Sequence, residues 1–185
     1  MKKPALLFAL LVIAIVGIIA YAQYRQRALM ADLTRETDAI AAGYKTLADR
    51  DLRPLAATHA LTDGQSAAVQ TVAQRMKDPA ATQPLAQKVA DIHDVQMALV
   101  RFLRDVTPTQ PFAQSAELAD LQKEMGKDGR MRGLLDAYNQ TAKEWNDTQS
   151  TGVTMLTSDI LRKKSNPLPY LRFDGEMEYF TVIHL

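Results

Sequence analysis

From Pro4 to Tyr24 the chain carries no charged side chain: PALLFALLVIAIVGIIAYAQY. No other feature limits the fold so strongly. A helix rises about 1.5 Å per residue, so roughly 20 apolar residues cross a ~30 Å hydrocarbon layer. Tyr21 and Tyr24 stand at the C-terminal edge, where aromatic rings favour the headgroup region, and Arg25 and Arg27 stop the run. The expectation is a transmembrane anchor over 4–24. Two alternatives stay open. One is a helix buried in a protein core. The other is a cleaved signal, since Lys2 and Lys3 form a basic start and Ala20-Tyr21-Ala22 before Gln23 has a small-x-small pattern. The run is longer than the apolar stretch of an ordinary signal, which favours an uncleaved anchor.

Basic residues stand on both sides of the span, Lys2 and Lys3 before it and Arg25, Arg27 and Arg35 after it, so the positive-inside rule is close to a tie. The export-like N-terminus tips the expected orientation toward a cytoplasmic N-terminus and a periplasmic domain.

Beyond the anchor the chain reads as helix. Gly and Pro number 8 each, and β-branched runs are scarce after Ile19. Leu33, Ile40 and Leu47 recur every seven residues, with Leu29 and Tyr44 on neighbouring turns. Pro54 predicts an end or kink near Arg53. A second helix is expected over Leu55–Met76, interrupted at Thr62-Asp63-Gly64, with Ser66 capping the restart and Gln65, Val69, Val72 and Met76 at 4-3-4 spacing. After a turn at Asp78-Pro79 comes the clearest pattern. Leu85, Val89, Ile92, Gln96, Leu99, Leu103 and Val106 hold an unbroken 4-3 alternation, the mark of a bundle seam. Gln96 is its one polar member. It reads as a seam-edge side chain reaching solvent, or as a contact that sets register.

The residues 107–111, TPTQP, form a stiff connector. Ser115 looks like the N-cap of a helix holding Leu118, Leu121 and Met125. Past Gly126 and Gly129 the seam resumes at Met131, Leu135, Tyr138, Ala142 and Trp145, across one long helix or a hinge. Its expected neighbour is the 85–106 seam, beyond the connector. Val153, Leu156 and Ile160 suggest a short amphipathic helix. The segment 166–185 begins Asn-Pro-Leu-Pro and is expected to be a non-helical tail that docks extended. The domain reading is therefore an anchor at 4–24, a helical bundle at 25–165 and a tail at 166–185, all-α, with an antiparallel four-helix bundle behind the transmembrane helix.

Several chemistries find no support in the sequence. With 22 Lys+Arg against 21 Asp+Glu there is no basic surface for nucleic acid. There is no cysteine, hence no disulfide or thiolate. His59, His93 and His184 have no second ligand at metal-binding spacing, and neither a phosphate loop nor a nucleophile motif occurs. No catalytic residue, cofactor or metal is expected. The most distinctive set is Tyr138, Asn139, Trp145 and Asn146. Tyr138 and Trp145 share one helical face, and Asn139 and Asn146 share the next. The set reads as a candidate interaction face, or as core aromatics with asparagines bonded to neighbouring helices or loops. As core, Trp145 would cost far more to truncate than Asn139.

Residues 51–55, DLRPL, resemble a segment of the LemA family, as do Phe112 with residues 118–125, LADLQKEM. Residues 137–142, AYNQTA, with Trp145-Asn146 after them, are similar to that family's Tyr-Asn stretch. The chain departs from the family at residues 129–132 and at Leu135, where polar residues are usual. The resemblance implies a single-pass bacterial membrane protein carrying an antiparallel four-helix bundle, and no agreed activity. It also implies a small extracytoplasmic N-terminus, opposite to the direction read from the basic residues. The expected function is a non-enzymatic scaffold or adaptor in the bacterial inner membrane, with the lipid bilayer and other membrane or envelope proteins as partners. The alternatives are a ligand-binding sensory bundle, or a secreted helical protein after cleavage near Ala22.

Overall fold

A computed structural model of the chain describes residues 3–76, 83–106, 112, 115–126, 128–149, 167–171 and 182–183. The expected turn at Asp78-Pro79, the connector at 107–111 and the helix around Val153–Ile160 lie outside the described residues. The molecule is mostly helical. Helix α1 spans Lys3–Leu47, about 68 Å at the usual rise. Its first part leaves apolar side chains in the open: Leu7, Phe8, Ile13, Tyr21 and Tyr24 are each about two-thirds exposed or more. This stretch is long and apolar enough to cross a membrane. From Leu29 the same helix changes character. Leu29, Leu33, Ile40, Tyr44 and Leu47 are buried. Thr37 fills the gap in that stripe and satisfies its own hydroxyl by donating to the carbonyls of Leu33 and Thr34, both at 2.9 Å.

Pro54 does not end the helix. A proline ring clashes with the carbonyl four residues earlier, here that of Arg50. The chain relieves the clash with a wide π-helical turn over Ala48–Leu52, and α2 (Arg53–Thr58) continues from it with Pro54 in its first turn. The turn carries Asp51 into the interior, 2% exposed. The Arg50 guanidinium meets it in a two-pronged pair, Nε and Nη2 donating at 2.6 and 2.7 Å. Leu52 and Leu55 flank it in the core.

Helix α3 (Asp63–Arg75) starts at a capping box. The Thr62 hydroxyl accepts from Gln65 N, and Gln65 Oε1 accepts from Thr62 N at 3.0 Å. The cap is thus Thr62 and not Ser66, because a reciprocal Thr-x-x-Gln pair satisfies two orphan donors at once. Helix α4 (Leu85–Val106) buries Val89, Ile92, Gln96, Leu99, Leu103 and Val106 as the seam predicts, and adds Val95 and Phe102 on the adjoining row. Gln96 is fully buried rather than at a wet edge. Helix α5 (Ala116–Met125) is capped by Ser115 Oγ, which accepts from Leu118 N at 3.0 Å. The glycines interrupt the helix: α5 ends at Met125, and α6 runs Arg130–Gln149.

Specific contacts fix the directions. Glu36 and Thr141 are hydrogen-bonded at 2.9 Å, while a Cβ on Gly43 would lie 2.7 Å from Met131 Sδ, so α1 and α6 run antiparallel. Lys88 Nζ meets Asp38 at 2.6 Å and Gln96 lies beside Tyr44, so α4 runs parallel to α1. The α3–α4 hairpin is pinned by Arg75, which reaches Asp91 at 2.8 Å and Asp94 at 3.0 Å. The stripe of α6 therefore packs along α1 and not chiefly along α4 as the connector suggested. Sequence proximity does not choose the neighbour here. Gly43 lets the ends of Met131 and Leu134 seat close against the α1 backbone at this crossing. In the tail, β1 (Tyr170–Leu171) pairs antiparallel with β2 (Val182–Ile183).

Lys88 is 6% exposed and Asp38 is half-exposed. Removing Asp38 leaves the buried ammonium without its partner, which costs about 1–3 kcal/mol for a pair at the edge of the core, less than for one wholly inside. Asp38→Ala is expected to lower the urea midpoint markedly, and Lys88→Met in the same chain to restore much of the loss. An Asp38→Ala chain as stable as the wild type would show that the pair contributes nothing.

Candidate functional site

Helix α6 presents two adjacent stripes. Met131, Leu135, Tyr138, Ala142 and Trp145 form the buried one. Asn139 and Asn146 lie half-buried on the next. The four residues singled out in the sequence therefore divide between the core and its margin, with Tyr138 joining the two.

The margin is occupied by the chain's own tail. Asn146 Oδ1 accepts from Leu168 N at 2.8 Å, and its Nδ2 donates to Leu168 O at 2.9 Å. Two turns earlier, Asn139 Oδ1 accepts from Leu171 N at 2.7 Å and its Nδ2 donates to Leu171 O. The Tyr138 hydroxyl donates to Pro169 O at 3.1 Å. Each asparagine thus treats one tail residue as a neighbouring strand would, taking its N–H and filling its C=O. Leu171 is buried among the helices, and Leu168 and Tyr170 pack partly against the core. A docked extended tail is legible from the Asn-Pro-Leu-Pro start. Its landing place is not, although the seven-residue spacing of Asn139 and Asn146 is the available signal.

Burial shifts two titratable groups beside this face. Burial first, and the nearby Glu36 carboxylate second, push the Tyr138 hydroxyl well above its ordinary range, so it stays protonated and remains a donor. Glu36, on α1 opposite Thr141, is raised as well, mainly by desolvation and against the Thr141 hydrogen bond. Trp145 Nε1 is buried without a partner, and so are the Tyr44 hydroxyl and both amide atoms of Gln96. Among the described residues no three His, Cys, Asp or Glu side chains gather to hold a metal. His93 is on α4, and His59 stacks on Phe112 with ring centroids 4.5 Å apart. His184 lies outside the described residues.

Comparison with known protein families, with characterised proteins and with solved structures finds no match to this chain.

Trp145→Ala is expected to cost about 3–5 kcal/mol, from lost transfer energy and a cavity. Asn139→Ala is expected to cost about 1–3 kcal/mol, because it leaves the buried Leu171 backbone without donor and acceptor. Urea unfolding monitored by circular dichroism checks the order; an Asn139→Ala chain indistinguishable from wild type would show that the tail is not held by that amide. A separate expectation concerns pH. The folded state raises the Glu36 pKa above its ordinary value of 4.5, so it favours the neutral carboxyl, and the carboxylate opposes folding at neutral pH. Glu36→Gln should therefore be more stable than wild type at neutral pH. The gap should close as pH falls through the folded pKa and vanish below about pH 4, where the wild type is itself protonated in both states. Parallel thermal melts across that range read the sign directly.

Proposed function

We propose that this chain is a single-pass, membrane-tethered helical protein of the bacterial inner membrane that acts without catalysis, as a scaffold or adaptor for other membrane or envelope proteins. The observation that carries the reading is α1. It passes without a break from an exposed apolar stretch into the buried stripe that begins at Leu29. Only about 7–8 Å of helix separate Tyr24 from Leu29. A domain held that close to a bilayer, by a rod rather than a linker, is placed at a fixed height and angle. In this reading the domain is an antiparallel four-helix bundle in which α1 and α4 lead away from the membrane and α3 and α6 return, with the N-terminus cytoplasmic and the bundle periplasmic. The pairwise directions of α1, α4 and α6 support it. The LemA-family resemblance, carried by Tyr138-Asn139 and Trp145-Asn146, belongs to the same proposal.

Alkaline extraction of membranes should leave the full-length chain in the pellet with its N-terminus intact. A soluble product beginning at Gln23 would replace this reading with a secreted one. Because the chain has no cysteine, Gln70→Cys on the exposed side of α3 gives a unique label. A membrane-impermeant maleimide should modify it in cells whose outer membrane alone is permeabilised. Labelling only after the inner membrane is broken would reverse the orientation.

A further inference from the structure

The margin of α6 has the geometry of a recognition surface for extended backbone. Residues seven apart on a helix are two turns apart, about 10.5 Å along the axis. Residues three apart in a polyproline-like chain are separated by about 9 Å and present their backbone groups to the same side, since that chain has three residues per turn. Asn139 and Asn146 are therefore spaced to meet every third residue of such a chain, and they meet Leu171 and Leu168. Tyr138 takes the carbonyl of Pro169 between them. All five hydrogen bonds go to main-chain atoms of the tail; among its described residues the one wholly buried side chain is Leu171.

The prolines set the register. The two asparagine Oδ1 atoms need N–H donors at two positions three apart, supplied by Leu168 and Leu171. A slip of one residue either way brings Pro167 or Pro169 opposite Asn146, and proline has no N–H to give. The segment is thus recognised by an apolar anchor and by where its backbone donors are missing, a pattern that another chain can carry equally well.

We propose that this face of α6 is a peptide-binding site for an extended segment in which prolines flank one leucine and a second leucine comes three residues on, and that residues 167–171 are its built-in occupant, exchanged when a partner protein presents such a segment. The exchange swaps the five bonds to α6 for like bonds, and the displaced segment keeps its pairing with β2, so occupancy is decided by concentration: a segment tethered in the same chain competes at high effective concentration until a partner is held nearby. The site is made by α6 and the helical core that receives Leu171, so this inference goes beyond the tethered-adaptor reading and stands or falls separately from membrane attachment.

The test uses the full-length chain in detergent and a fluorescent peptide with the sequence of residues 166–172. Leu171→Asp loosens the resident segment without touching α6. The peptide is expected to bind this variant about tenfold or more tightly than wild type, by fluorescence anisotropy. Adding Asn139→Ala and Asn146→Ala to that variant should abolish binding, and a peptide with proline in the Leu168 position should bind about tenfold more weakly. Helical circular dichroism reports that each variant is folded. If Leu171→Asp is not folded, Leu168→Pro takes its place, since it removes a single donor. Equal affinity for wild type and the loosened variant overturns the proposal, as does binding that survives loss of both asparagines. A wild-type chain that proves to be a dimer through exchanged tails also overturns it, because the segment would then be an oligomerisation arm.

Discussion

The structure depends on one helix that changes its surface along its length. From Leu7 to about Tyr24, α1 leaves apolar side chains in the open on all sides, a surface suited to hydrocarbon, where a helix satisfies its own backbone groups. From Leu29 it must be apolar on one stripe only, since the opposite side faces water. Arg25 and Arg27 mark the change, and no glycine or proline interrupts the helix there. The soluble core is then assembled on a rod whose axis is already fixed. Helices α4 and α6 lie along it in opposite directions, and the π-helical turn at Ala48–Leu52 is where its α-helical hydrogen-bond pattern is interrupted.

Each contact with that rod uses a different device. Gly43 gives up about 1 kcal/mol of helix propensity relative to alanine, and in return Met131 and Leu134 close onto the α1 backbone. Lys88 and Asp38 join α4 to α1 through a charge pair at the edge of the core, with the ammonium inside and the carboxylate half-exposed. Deeper in, Tyr44 and Gln96 face each other fully buried, without hydrogen bonds at normal distance. Unsatisfied buried groups cost about 1–3 kcal/mol each. A hydrocarbon pair would therefore pack more favourably, but it would also tolerate α4 sliding by a turn. A polar side chain surrounded by leucine and valine on a seam restricts the alignments that do not cost still more, as a lone buried amide does in a coiled coil.

Much of this is legible in the residues, and the parts that are not share a cause. The seams of α4 and α6, the stripe of α1 and the Ser115 cap are local patterns, set by which side chains recur at helical spacing. The depth of Gln96, the capping of α3 by Thr62 and the choice of α1 over α4 as the partner of Tyr138 and Trp145 are not local in that sense. Burial of an amide depends on a second helix covering it. A capping box depends on both members, and Thr62 with Gln65 outcompetes Ser66 because it closes two bonds. The pairing of α6 with α1 is fixed by contacts far apart in sequence, Glu36 with Thr141 and Gly43 with Met131, which periodicity does not register. Pro54 announces a kink but not its form. A proline whose steric demand falls four residues back can be accommodated by widening one turn, and the Arg50–Asp51 pair then holds that turn in place.

The asparagines on α6 answer a requirement of the same kind. An extended segment laid on a helix finds no backbone partner there, because every N–H and C=O within the helix is already bonded along its own axis. Only side chains can complete it, and they must both donate and accept. Asparagine is the shortest that does so, with the same amide chemistry as the peptide group it stands in for. Glutamine could make the same bonds but would lose more rotamer freedom in holding them. Aspartate would keep the acceptor but set a charge against the carbonyls of Leu168 and Leu171. Two asparagines two turns apart thus complete every third residue of the segment, where a sheet edge would bond every second, and β2 on the other side of β1 supplies true backbone.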